Sequence, residues 1–238
     1  MNALTRAVLS FWDSSIGKKI LVAVTGVALL LFLPGHLIGN LLLFAGKDAI
    51  NEYALWLHEL GHGGAVWIAR IGLLAVLVVH IWLTIQLTVR NRAVSQKYSR
   101  PATTKASRSS RMMIWSGLTI LAFIVYHISH FTVRIGNDYN GSTYLTSLPG
   151  HDGSVHNVHQ MIIDGFSHVG NTLFYIIAIT LLCSHLSHGF SSVFQTLGLR
   201  SRKSDTLIMR AGWAYALLIW VGFLSIPVAV LFFGYGRT

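Results

Sequence analysis

Six histidines, His36, His80, His127, His130, His185 and His188, fall inside long apolar stretches of this 238-residue chain. Ionisable side chains in such stretches are costly to bury and usually functional. One imidazole alone reads as a neutral group bonded to a neighbouring helix, whereas four stretches each carrying one read as a ligand set. Depth sorts them. His36 lies 17 residues beyond Lys19 and His127 lies 16 beyond Arg111, which at 1.5 Å per helical residue is about 24–26 Å from the charged boundary. His80 is ten residues before Arg90 and His188 twelve before Arg200, about 15–18 Å from it. Two layers of two imidazoles, an estimated 7–10 Å apart (roughly, by the same rise), match a pair of stacked six-coordinate haems, each iron taking one axial nitrogen from either side.

Other metal chemistry fits less well. Two ligands per layer are too few for zinc. With Cys183 as the single cysteine, neither an iron–sulfur cluster nor a C-x-x-C-H attachment of c-type haem can form, and the thiol reads as a small packing residue.

Local sequence separates ligands from neighbours. Residues 25–36 read TGVALLLFLPGH and residues 116–127 read SGLTILAFIVYH, a Thr/Ser-Gly pair with its glycine ten residues before the histidine in both. Small residues let a helix or a porphyrin approach the backbone. The parallel selects His127 over His130. His188, followed by Gly189 and nearer the depth of His80, is selected over His185. His130 and His185 then take supporting roles toward haem propionates or a quinone.

These ligands must be carried by membrane-crossing helices. The chain is 53% hydrophobic and 11% charged, and stretches 20–43, 65–90, 111–134, 166–190 and 210–233 each suffice to cross a bilayer. The expectation is an all-α membrane protein, a five-transmembrane-helix bundle forming one domain over 1–238, with its first helix retained rather than cleaved as a signal peptide and Phe11 and Trp12 on a short interfacial helix. Fourteen of the 18 basic residues fall before the first stretch, between the second and third, and between the fourth and fifth, while six of the eight acids lie on the opposite face. The positive-inside rule then puts the N-terminus in the cytoplasm and the C-terminus outside. The basic face attracts anionic membrane lipids, and its 88–110 and 199–210 loops offer a docking surface for a partner. Nucleic acid is not expected, because the charges hug the membrane ends.

SSIGKK at 14–19, TGVALLLFLPGHLIGNLLLF at 25–44, NEYALWLHE at 51–59, HIWLTIQLTVRNR at 80–92, SGLTILAFIVYHISHFT at 116–132 and SHGFSSVFQTLG at 187–198 resemble the cytochrome b membrane anchor of succinate:quinone oxidoreductases (succinate dehydrogenase and fumarate reductase), in its single-polypeptide, five-helix, di-haem form. The resemblance implies two haem b groups, with His36 and His127 on the distal one and His80 and His188 on the proximal one. It also implies an iron–sulfur subunit on the cytoplasmic face, a flavoprotein subunit bound to that, electron exchange with menaquinone or ubiquinone, and a place in the cell inner membrane as the subunit that does not bind succinate. Some members carry a glutamate two residues before the fourth-helix ligand, where this chain has Leu186, so proton transfer across the membrane by that route is not expected. Glu59, where the family places a functional glutamate, is the candidate for the quinone and its protons. Rival readings are a haem b anchor of a hydrogenase or formate dehydrogenase complex, and a haem-free transporter whose histidines relay protons.

Overall fold

The computed structural model describes residues 2–95 and 108–237. Lys97, Arg100 and Lys105 of the expected docking loop lie outside the described residues. Among the described residues five helical spans are long and apolar enough to cross a membrane: Ser15–Ala45, Gly64–Asn91, Met113–Val133, Val169–Thr196 and Asp205–Phe233. The chain is an all-α five-span bundle.

Its elements are α1 (Ala3–Asp13), α2 (Ser15–Leu41), α3 (Lys47–Glu59), α4 (Gly64–Ser95), α5 (Arg108–His127), a π turn over Ile128–Val133, a hairpin of β1 (Leu145–Ser147) and β2 (Ser154–His156), then α6 (Val158–Ser167), α7 (Val169–Thr196) and α8 (Asp205–Phe233). The Asp13/Ser14 corner separates α1 from α2. Ser14 Oγ accepts the Gly17 amide at 2.8 Å and donates to the Phe11 carbonyl at 2.8 Å, satisfying an orphan amide of the new helix. A Cβ on Gly17 would lie 1.9 Å from that carbonyl oxygen, so the corner admits only glycine.

Two features of the far end, opposite the basic residues, depart from the sequence reading. The 44–65 connection is largely helix, α3, which lies on α2 where Gly39 leaves room for Tyr53; a Cβ on Gly39 would come within 2.6 Å of that ring. The 166–190 span divides at His168, where Thr172 donates to the Phe166 carbonyl at 2.7 Å and Asn171 to that of Gly165 at 3.2 Å. α7 therefore runs longer, to Thr196.

Packing is uneven. α7 lies along α8, α5 lies along α7, and α2 touches α4, α7 and α8. α4 leans on α2 and has no comparable packing against α5 or α7. The dense apolar core is at the far end, where Leu43, Ile50, Ile163, Phe166 and Tyr175 meet Leu224 and Val230 of α8. The four helices α2, α4, α5 and α7 carry His36, His80, His127 and His185 respectively.

Candidate haem-binding site

His36 of α2 and His127 of α5 face each other with ring centroids 5.8 Å apart and planes at 84°. Two imidazoles on opposite sides of one metal, with metal–nitrogen bonds of about 2 Å, have centroids about 6 Å apart, so this pair stands at ligating distance. Tyr175 Oη lies 3.2 Å from His127 Nδ1, leaving Nε2 available. This is the far pair.

Toward the basic end, His80 of α4 places Nδ1 3.0 Å from Thr25 Oγ1. The Thr25 hydroxyl spends its own proton on the Leu21 carbonyl, 2.7 Å away. With the hydroxyl proton on that carbonyl, Oγ1 accepts from His80 Nδ1–H and the lone pair lies on Nε2, the tautomer a metal requires. The same device recurs once. His185 of α7 places Nδ1 3.1 Å from Ser116 Oγ, which donates to the Met113 carbonyl at 3.1 Å.

This corrects two expectations. The Thr/Ser-Gly pairs do not frame the histidine of their own helix; each faces the histidine of the next one, a Cβ on Gly26 meeting His80 Cε1 at 3.5 Å and one on Gly117 meeting His185 Cε1 at 3.6 Å. By that relation Ser116 and Gly117 face His185, the supporting residue of the sequence reading, while His188, its expected ligand, makes no side-chain hydrogen bond among the described residues. The layer spacing changes as well. Thr25 and Ser116 each lie 11 residues before His36 and His127, so the layers stand about 16 Å apart along the helices rather than 7–10 Å.

His130 is buried within the π turn that follows His127. Its Nδ1 lies 3.2 Å from Tyr175 Oη and its Nε2 3.4 Å from Tyr139 Oη. The run can be satisfied in one direction throughout: with His127 Nδ1–H donating to Tyr175, Tyr175 O–H donates to His130 Nδ1 and His130 Nε2–H to Tyr139, and the reverse direction satisfies the same three contacts. The histidine nearest the bundle interior is thus wired to the far surface.

Comparison with family models, with curated proteins and with solved structures gave no match.

The wire ends at a cleft of about 830 Å³ walled by Tyr126, His130, Tyr139, Asp164, His168 and Asn171. Asp164 accepts from Tyr144 Oη at 2.8 Å and from Gln160 Nε2 at 2.9 Å. Burial, and then the Asp164 carboxylate, push the Tyr139 phenol up to about 12 and hold that of Tyr144 well above its ordinary range. Sequence reasoning missed this site. Asp164 lies outside every apolar stretch, and only the docking of α6 brings it beside His130. Glu59 is exposed at the end of α3 and makes no side-chain hydrogen bond among the described residues.

Proposed function

We propose that this chain is a di-haem cytochrome b membrane anchor that passes electrons between an iron–sulfur partner subunit and membrane quinone, in a succinate dehydrogenase or fumarate reductase complex. The observation that carries the haem reading is the tautomer lock. His80 and His185 each place Nδ1 beside a hydroxyl whose proton has a backbone carbonyl to go to, and Tyr175 stands at Nδ1 of His127, so three imidazoles are held through Nδ1 in a way that leaves Nε2 for a metal.

His36 with His127 would hold the far haem, and His80 with His185 the near one. Bound haem supplies reversible one-electron storage. The chain's own residues would orient the imidazoles and, with Nδ1 protonated toward the hydroxyls, leave their Nε2 atoms free. The succinate:quinone assignment rests on the quoted sequence resemblance. It puts the basic end on the cytoplasmic side of the inner membrane, beneath the iron–sulfur subunit and its flavoprotein, and the far end outside.

Quinone exchange at the far end has two candidate proton acceptors. Glu59 has the position the resemblance implies. Asp164 has the geometry, standing in a cleft that both aromatic rings and polar groups line, as a quinone headgroup requires.

The test is a reduced-minus-oxidised spectrum of the purified complex with succinate as donor. Two haem b components reduced by succinate are expected. A haem band that formate or hydrogen reduces and succinate does not would assign the chain to the rival respiratory complexes, and absence of the band would leave the transporter.

A further inference from the structure

At the far end four basic side chains converge from four elements: His58 on α3, Arg70 near the start of α4, Arg134 just past the π turn, and His156 on β2. They are close enough to repel. Arg70 and Arg134 act on His58, Arg70 acts on Arg134, and Arg134 with His58 acts on His156. Burial first, then that repulsion, holds His58 below its ordinary range and pushes His156 down to about 4. Among the described residues no carboxylate answers these charges; the one ion pair there, Arg200 with Asp205, is at the basic end.

Two nitrogens in the cluster are buried without a partner, Arg134 Nε and His156 Nε2. They are the only such side-chain atoms among the described residues. The rest of the Arg134 guanidinium is fixed, Nη1 donating to Asn140 Oδ1 at 2.9 Å, and its backbone has φ 62°, a left-handed conformation that a long side chain adopts at a cost. Leaving buried donors unmade is expensive, and an anion with two oxygens would answer both.

We propose that Arg134 and His156, with Arg70 and His58 around them, bind the carboxylates of the far haem, the porphyrin held by His36 and His127. This rests on the haem reading above. The helix supplies the connection: Arg134 follows His127 by seven residues on the same span, at the end where α4 and α5 are not packed together. The phosphate of an anionic lipid offers the same chemistry. Burial favours the haem carboxylates, because the two unpartnered nitrogens are shut off from solvent and a headgroup stays at the surface.

The test is a potentiometric titration of both haems in the purified complex, wild type against Arg134→Gln, Arg134→Lys and His156→Gln. Removing positive charge or a donor beside haem carboxylates favours the ferric form. Arg134→Gln and His156→Gln should therefore lower the midpoint of the far haem and leave the near one unmoved, with Arg134→Lys shifting it less. If Arg134→Gln fails to assemble, the other two variants carry the comparison. Unchanged midpoints with two haems bound would overturn this inference alone. So would unchanged midpoints with loss of co-purifying phosphatidylglycerol, which would give the site to lipid. A wild-type complex without haem b would sink the parent reading and this one with it.

Discussion

Thr25 Oγ1 stands 3.0 Å from His80 Nδ1 with its own proton already committed to the Leu21 carbonyl. A hydroxyl so placed fixes both the tautomer and the plane of the imidazole, and such outer partners are worth about 10–100-fold in metal affinity. Thr25→Val keeps the shape and removes the acceptor. The near haem should be retained more weakly by about that factor and show partial high-spin character, the far haem being unaffected. Absorption and electron paramagnetic resonance of the purified complex measure this; an unaltered near-haem spectrum would remove the hydroxyl from the design.

Ser116 bears the same relation to His185, which makes the fourth-helix ligand testable. His185→Ala should abolish the near low-spin haem, and His188→Ala should preserve it. The reverse result would restore the assignment based on Gly189 and mean that α7 turns differently about its axis when haem is bound.

How far these residues could be read from sequence follows from what each depends on. Five spans are legible because crossing a bilayer is a matter of length and apolarity, and His36 and His127 pair by depth alone, since both lie a similar distance from a charged boundary on helices running the same way. Rotation about a helix axis is different. His185 and His188 differ by three residues, and which of them looks inward is set by how α7 packs on α5 and α8. The π turn after His127 is likewise a product of packing. It turns His130 toward Tyr139 with no marker in the sequence. Asp164 and α3 were missed because both lie in short polar segments whose positions come from docking, Asn51 Oδ1 accepting the His159 amide at 3.1 Å across the two connections.

Tyr175 serves two histidines. By accepting from His127 Nδ1–H it adds electron density to the ring and favours ferric iron at the opposite nitrogen, so Tyr175→Phe should raise the midpoint of the far haem. It also leaves buried ring nitrogens unpaired, at a cost of about 1–3 kcal/mol. Redox titration together with thermal unfolding separates the two effects, and an unmoved midpoint would leave Tyr175 a packing residue.

His156 makes the far hairpin sensitive to acid. Burial, then the charges of Arg134 and His58, disfavour its protonation in the fold and push it down to about 4 from the ordinary 6.5. The unfolded loop therefore takes up protons first as pH falls. The stability contributed by the neutral ring is intact above pH 6.5 and is lost progressively toward pH 4, and an anion seated beside Arg134 would narrow that window. Hydrogen exchange over 145–156 should accelerate through this range, and His156→Gln should flatten the response. Identical pH profiles for both proteins would show that His156 is not the titrating group.

Asp164 and Glu59 make opposite predictions for quinone chemistry. A carboxylate that takes a proton from a quinol hydroxyl must lie within hydrogen-bonding reach of it, and general base catalysis of this kind is worth about 10²–10⁴-fold. Asp164 stands in the far cleft, oriented by Tyr144 and Gln160 and next to the run of hydrogen bonds that ends at His127. Glu59 is exposed on α3 with no side-chain partner to aim it. Asp164→Asn keeps the bond from Tyr144 and removes the base, so quinol oxidation should fall by at least about 10²-fold while both haem spectra persist. Glu59→Gln should change the rate little. Retention of both haem spectra at their wild-type intensity separates loss of the base from a structural loss. If Asp164→Asn turned over at the wild-type rate and Glu59→Gln did not, the proton path would run past α3, and the cleft would have some other occupant.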